Sequence, residues 1–162
     1  MRRSIHGGWR GAALVAVVVI VASACSKSAP ATPIYDVFAQ KFRFNGMPAS
    51  IPSGNLQINF SNKESFPITH EMILKALPSG KTAQDVIDSA KVAGCEGGAE
   101  CEGQYLAFGE IAGVDTGASL SNVFDLPAGD YFFACWETGT QSGGTGGPPH
   151  ASIGMVYTFT VT

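Results

Sequence analysis

Apolar and polar side chains alternate over much of the chain, with the period of two that is typical of strands half buried in a sheet. The clearest case is residues 56–61, where Leu56, Ile58 and Phe60 alternate with polar residues. Further apolar stretches, separated by turns rich in Gly, Pro and Asn, predict strands at residues 35–44, 71–77, 105–111, 119–126, 131–136 and 155–161. Seven or so short strands with almost no helix predict an all-β, two-sheet antiparallel sandwich.

One stretch departs from this pattern and predicts a single short helix. Thr82 can cap the helix, Asp85 stands three residues later like the acid of a capping box, and Gly94 can end it. Its apolar face would consist of Val86, Ile87, Ala90 and Ala93. We expect this face to cover an end of the sheet.

The first 25 residues have the pattern of an export signal. Arg2, Arg3 and Arg10 form a basic start, and residues 11–21 are an apolar run too short for an ordinary transmembrane helix. The run ends in small residues followed by Cys25, which resembles a bacterial lipoprotein signal whose cysteine is lipidated. The alternative is an ordinary secretory signal with a chance cysteine.

These features divide the chain into three parts. We predict a lipoprotein signal peptide at residues 1–24, a lipidated, Pro-rich tether at residues 25–33 and one domain at residues 34–162. The protein would then lie in the cell envelope, lipid-anchored on the extracytoplasmic side of the membrane without spanning it.

The charge balance becomes more acidic once the signal is removed. Loss of its three arginines leaves 7 Lys and Arg against 13 Asp and Glu, so the net charge changes from −3 to −6. This balance argues against nucleic acid as a partner and against a polybasic membrane patch.

Three cysteines remain beyond Cys25, an odd number for an oxidising compartment. Cys95 and Cys101 bracket a Gly/Glu loop and can close it as a small disulfide ring. Zinc binding by this pair is disfavoured, because its spacing does not suit a tetrahedral site and no further Cys or His is free to complete one. Cys135 is then the unpaired thiol, which is a hazard in that compartment unless it is buried or bound to metal.

A candidate copper site follows from the residues around Cys135. This cysteine ends an apolar strand, and His150 and Met155 follow on the turn into the last strand. Thiolate, imidazole and a weak thioether are blue-copper ligands, and such a centre needs one more imidazole. His70 can supply it, because His70 and His150 are the only histidines beyond the signal. Each residue alone also has an ordinary alternative, namely an inert buried thiol, core packing or a strand-end histidine.

Several stretches carry a family resemblance. They are Ile-Pro-Ser-Gly-Asn-Leu-Gln-Ile-Asn-Phe-Ser-Asn at 51–62, Pro-Ile-Thr-His-Glu at 67–71, Leu-Pro-Ala-Gly-Asp-Tyr at 126–131, Gly-Pro-Pro-His at 147–150 and Gly-Met at 154–155. With Cys135, they make residues 35–162 similar to the cupredoxins, closest to small exported bacterial cupredoxin-like proteins. The resemblance implies a Greek-key sandwich with one type 1 copper at its end, bound by His70, Cys135, His150 and Met155. It also implies that the His150 ring lies at the surface as the exit for the electron.

Two features depart from the usual cupredoxin pattern. The loop between Cys135 and His150 has 14 residues and many glycines, whereas a shorter loop is usual. Glu71 follows the first histidine, where a small polar residue often steadies the loop that carries the cysteine. Both features concern the rigidity of the site more than metal binding itself.

These observations predict an exported, membrane-anchored mononuclear copper protein that exchanges electrons with unknown redox partner proteins and is not an enzyme. Four protein ligands would leave no open position for a substrate. A copper-handling protein that releases the metal through its Gly-rich loop is the alternative, and a metal-free cupredoxin-like binding module is a third. Binuclear copper and multicopper oxidase sites are disfavoured, because the loop has one cysteine and the chain has no His-x-His pair.

Overall fold

Two β-sheets enclose the hydrophobic core in the computed structural model, which describes residues 31–92, 95, 103–140 and 146–162. The strands are β1 (Ile34–Ala39), β2 (Phe44–Asn45), β3 (Ser50–Ile51), β4 (Gly54–Asn62), β5 (Thr69–Ala76), β6 (Ala107–Asp115), β7 (Ser119–Leu126), β8 (Gly129–Ala134) and β9 (Val156–Val161). A helix, α1 (Ala83–Ser89), precedes β6, and a 3₁₀ turn (His150–Ile153) precedes β9.

The two sheets are mixed rather than purely antiparallel. One has the strand order β2-β1-β4-β7 and the other the order β3-β9-β8-β5-β6. The pairs β1–β4 and β3–β9 are parallel, and the other pairs are antiparallel. The predicted all-β sandwich with one short helix is therefore confirmed, while its antiparallel description is wrong for these two pairs. Side-chain alternation reports which face of a strand is buried, but it carries no information about the direction of the neighbouring strand.

Strands β4 and β8 show how the apolar pattern builds the core. Leu56, Ile58 and Phe60 on β4 are at most 1 % exposed, as their alternation predicts. Residues 131–134 of β8 are apolar without interruption because both faces of this part of the strand are covered. Tyr131 and Phe133 face the core between the sheets, and Phe132 and Ala134 face a second cluster beneath α1.

Helix α1 covers the outer face of the second sheet. The predicted capping box is present: Thr82 Oγ1 accepts a hydrogen bond from the Asp85 N–H, and the Asp85 carboxylate accepts one from the Thr82 N–H. Val86 and Ala90 pack against Phe132. The helix ends at Ser89, earlier than Gly94, so the predicted C-terminus is wrong.

Some predictions fall on residues that the structure does not describe. The signal peptide, the lipidated Cys25 and most of the tether lie outside the described residues, and so does Cys101. Cys95 is described and buried, and its pairing with Cys101 stays a prediction. In the part of the chain that is described, no helix is both long and apolar enough to cross a membrane.

Asn62, at the end of β4, fixes the loop that leads to His70. Its buried Nδ2 donates to the carbonyls of Ile68 at 2.8 Å and Val114 at 2.9 Å, and its Oδ1 accepts from the Glu64 N–H at 3.1 Å. Asn62→Ala is expected to lower the free energy of unfolding by about 2 kcal/mol, because the Val114 carbonyl and the Glu64 N–H each lose a buried hydrogen bond. The Ile68 carbonyl keeps a second donor, Thr116 Oγ1 at 3.1 Å.

Urea unfolding of the purified protein measures this effect. Asn59→Ala, on the outer side of the same strand, removes three side-chain hydrogen bonds, with Asp36, Gln57 and Ser121, and serves as the matched control. We expect the control to change stability by less than about 0.5 kcal/mol. Equal effects of the two variants would show that Asn62 is no more than an ordinary strand residue.

Candidate metal centre

Three donor atoms from distant parts of the chain meet inside the sandwich. His70 lies near the start of β5, Cys135 directly follows β8, and His150 begins the 3₁₀ turn. The Nδ1 atoms of the two histidines are 3.1 Å apart. Cys135 Sγ is 3.6 Å from Nδ1 of His70 and 3.3 Å from Nδ1 of His150. All three side chains are fully buried, and they form a group that could hold a metal ion.

The size of this triangle suits a transition-metal ion. A point equidistant from the three donor atoms lies about 1.9 Å from each, near the ~2.0–2.3 Å bonds that imidazole nitrogen and thiolate sulfur make to zinc. A trigonal His₂Cys set with a weak axial thioether is the donor arrangement of blue-copper sites. The described residues therefore fit the copper that the sequence predicts.

Burial sets the protonation of the three groups before any metal binds. Burial raises the pKa of the Cys135 thiol well above its ordinary value. Burial, and secondarily the charge of His70, lowers the pKa of His150 from 6.5 to about 4. Burial also lowers the pKa of His70, although Glu64 opposes the shift. At neutral pH the site thus holds two neutral imidazoles, the form that binds metal, and one thiol that must lose its proton.

Backbone hydrogen bonds join the two ends of the long loop between Cys135 and His150. The Ala151 N–H donates to the Cys135 carbonyl at 2.7 Å, and the His150 N–H donates to the Glu137 carbonyl at 2.9 Å. The Cys135 N–H in turn donates to the Met155 carbonyl at 3.2 Å. The length of the loop therefore does not separate the ligand residues that flank it.

Met155 lies at the end of the turn that carries His150. Its N–H donates to the His150 carbonyl at 3.0 Å, and its side chain is fully buried in the core cluster that also contains Cys135. Gly154 before it is left-handed at φ 95°, and a Cβ there would lie 2.8 Å from Nη1 of Arg43. Glycine is thus required where the chain turns to place Met155. The role of Met155 as axial ligand stays a prediction.

Glu71 steadies Cys135, although it is larger than the residue usual at this position. Its carboxylate Oε1 accepts a hydrogen bond from the Trp136 N–H at 2.8 Å, and its own N–H donates to Cys135 Sγ at 3.4 Å. The residue after the first histidine therefore links β5 to the cysteine segment.

Glu64 is a site residue that the sequence analysis missed. Its side chain is 2 % exposed, and its Oε1 lies 3.3 Å from Nε2 of His70. The same oxygen accepts a hydrogen bond from the Phe42 N–H at 2.8 Å. Nothing in the local sequence marks Glu64, because it stands in a polar loop whose side chains would be expected to face solvent.

The Phe42 ring covers both histidines. Its centroid is 4.8 Å from that of His150 and 5.5 Å from that of His70, with the rings edge to face. His150 is fully buried under this cover, so the expectation that its ring lies at the surface is wrong. The sequence could not show that His150 is covered, because Phe42 lies in a turn more than 100 positions before His150 along the chain.

Comparison with known proteins finds relatives only among solved structures. No protein-family model and no curated protein matches the chain. Auracyanin B aligns with a TM-score of 0.54 and 23 % identity, covering 83 % of this chain and 93 % of its own. Dithionite-reduced auracyanin from Roseiflexus castenholzii aligns with a TM-score of 0.53 and 16 % identity, covering 82 % of this chain and 98 % of its own. Auracyanin A, a "blue" copper protein from Chloroflexus aurantiacus, aligns with a TM-score of 0.53 and 16 % identity, covering 82 % of this chain and 100 % of its own. At these identities the likeness shows a shared fold.

Proposed function

We propose that this protein, whose chain has the cupredoxin fold, binds one type 1 copper ion and acts in electron transfer. The observation that carries the proposal is the buried triangle formed by Nδ1 of His70, Sγ of Cys135 and Nδ1 of His150. Met155 would add the weak fourth ligand. When bound, copper would supply a one-electron couple between Cu(II) and Cu(I).

The arrangement of the ligands favours electron transfer over catalysis. All four proposed ligands are fully buried protein side chains, so no open position is left for a substrate. The hydrogen bonds that join the Cys135 and His150 segments hold the donor atoms in place before metal binds. A preformed site of this kind needs little rearrangement when the charge of the metal changes, which suits the transfer of single electrons.

The location and partners of the protein are part of the same proposal. The lipoprotein-like start of the sequence supports an exported protein, anchored at Cys25, that exchanges electrons with other redox proteins at the membrane surface.

Adding Cu(II) to the purified full chain and recording the visible spectrum tests the proposal. We expect an intense thiolate-to-copper band that is absent in Cys135→Ser, because the band needs the sulfur ligand. Met155→Leu is expected to shift the band, whereas Met72→Leu, which changes another fully buried methionine, is expected to leave it unchanged.

Two other results would contradict electron transfer. Tight Cu(I) binding without the band, or with rapid exchange of the metal, would favour a copper-handling protein. Failure to bind either copper ion would indicate a metal-free binding module.

A further inference from the structure

One carboxylate oxygen connects a proposed copper ligand to the ring that covers it. Oε1 of Glu64 lies 3.3 Å from Nε2 of His70 and 2.8 Å from the backbone nitrogen of Phe42. Glu64 and Phe42 are both buried, and the Phe42 ring contacts His70 and His150. We call this pair of residues, Glu64 and Phe42, the clamp.

We propose that Glu64 is a positioning residue for the copper site, which fixes His70 for metal binding and keeps Phe42 closed over both imidazoles. This inference rests on the proposed function and assigns a role to two residues outside the ligand set.

The contact with His70 selects one form of its ring. A carboxylate oxygen can only accept a hydrogen bond, so the proton of the neutral imidazole must lie on Nε2. Nδ1 is then unprotonated and faces Cys135 Sγ at 3.6 Å. Metal-binding histidines are commonly oriented in this way by a carboxylate on the other ring nitrogen. Glu64 thus prepares His70 as a ligand.

The contact with Phe42 holds a turn in an unfavourable conformation. Lys41 and Phe42 both have φ of 54°, a left-handed conformation that residues other than glycine rarely adopt. Such a conformation persists only where the surroundings hold it. The Glu64 carboxylate holds the Phe42 N–H, and Arg43 Nη1 donates to the carbonyls of Phe42 and Ile153, both at 3.0 Å. The turn is thereby tied to the segment that carries His150.

Glu64→Gln and Glu64→Ala separate charge from position. Gln keeps an oxygen that can accept the two hydrogen bonds but removes the negative charge, so we expect a higher reduction potential with a similar copper affinity. Ala removes the oxygen as well as the charge, and we expect copper affinity to fall by about 10–100-fold. Glu110→Gln, which makes the same charge change at an exposed position of β6, is the matched control and should leave potential and affinity unchanged.

Access to the site tests the Phe42 part of the clamp. Azide is expected to shift the visible band of the copper form of Phe42→Ala and Glu64→Ala, while the wild type and Phe42→Leu, which keeps most of the apolar bulk, remain unaffected. A chelator should remove copper at least about tenfold faster from Phe42→Ala than from Phe42→Leu, because water and small ligands reach the imidazoles only when the cover is lost.

A measurement on the metal-free protein separates this inference from the proposed function. ¹⁵N NMR of His70 should report the tautomer protonated at Nε2 in the wild type and a mixture in Glu64→Ala. If Glu64→Ala does not fold, Glu64→Gln and the comparison of Phe42→Ala with Phe42→Leu still test the clamp. A fixed tautomer without a thiolate-to-copper band would leave the clamp intact and overturn the copper function. A normal band, with a mixed His70 tautomer in the wild type and no change of potential in Glu64→Gln, would overturn the clamp alone.

Discussion

Raising the pH from 6 to 8 is expected to strengthen copper binding by about 100-fold, which is tenfold for each pH unit. Burial raises the pKa of the Cys135 thiol, so this group is protonated in the metal-free protein throughout that range. Copper requires the thiolate, and one proton must therefore leave for each ion bound. The pKa of His150, lowered to about 4 by burial, adds no further proton in this range. Burial also lowers the pKa of His70, which favours its neutral form above pH 6.5.

Competition titrations against a chelator of known pH dependence measure this slope. Calorimetry in two buffers of different ionisation enthalpy counts the released protons directly, and we expect one per copper ion. Cys135→Ser lacks the thiol and should bind copper weakly, with little dependence on pH. A wild-type affinity that does not change between pH 6 and 8 would show that Cys135 is not the ligand or has no proton to lose.

Lowering the pH from 7 to 4.5 is expected to destabilise the metal-free protein by about 2.5 kcal/mol through His150 alone. The pKa of His150 is about 4 in the folded protein, against 6.5 for an exposed histidine, because burial disfavours its charged form. Between these two pH values the unfolded chain binds a proton that the folded chain does not bind. The free energy of unfolding is therefore undiminished well above pH 6.5 and falls as the pH decreases toward 4. His70 adds a loss of the same sign, since burial lowers its pKa too.

Urea unfolding of the metal-free protein at pH 7 and pH 4.5 provides the measurement. His150→Gln keeps a polar side chain of similar size without a titrating group, so its stability should depend less steeply on pH. A wild-type protein as stable at pH 4.5 as at pH 7 would mean that His150 accepts a proton while buried. In that case the site would not hold two neutral imidazoles.

The sequence predicts the fold class well where burial alone determines the pattern. Strand β4 alternates because one face is buried, and residues 131–134 of β8 are all apolar because α1 covers their outer face. The parallel pairs β1–β4 and β3–β9 were not predictable in this way. They depend on which strands become neighbours after the whole chain has folded, and side-chain periodicity does not record that choice.

The candidate site, like the fold, was only partly predictable from the sequence. His70, Cys135 and His150 could be found because metal chemistry restricts the ligand types and few such residues are present. Glu64 and Phe42 could not be found, because neither has a distinctive spacing from the ligands along the chain. Their roles depend on a buried hydrogen bond and on a left-handed turn, both of which arise only in the folded structure.

The paired backbone bonds at Cys135–Ala151 and Glu137–His150 give the segment between them a stem like that of a hairpin. We expect changes beyond this stem that keep its backbone bonds to leave the coordinating atoms in place. A lineage of such proteins could therefore acquire new docking preferences in this segment while its redox chemistry stays the same.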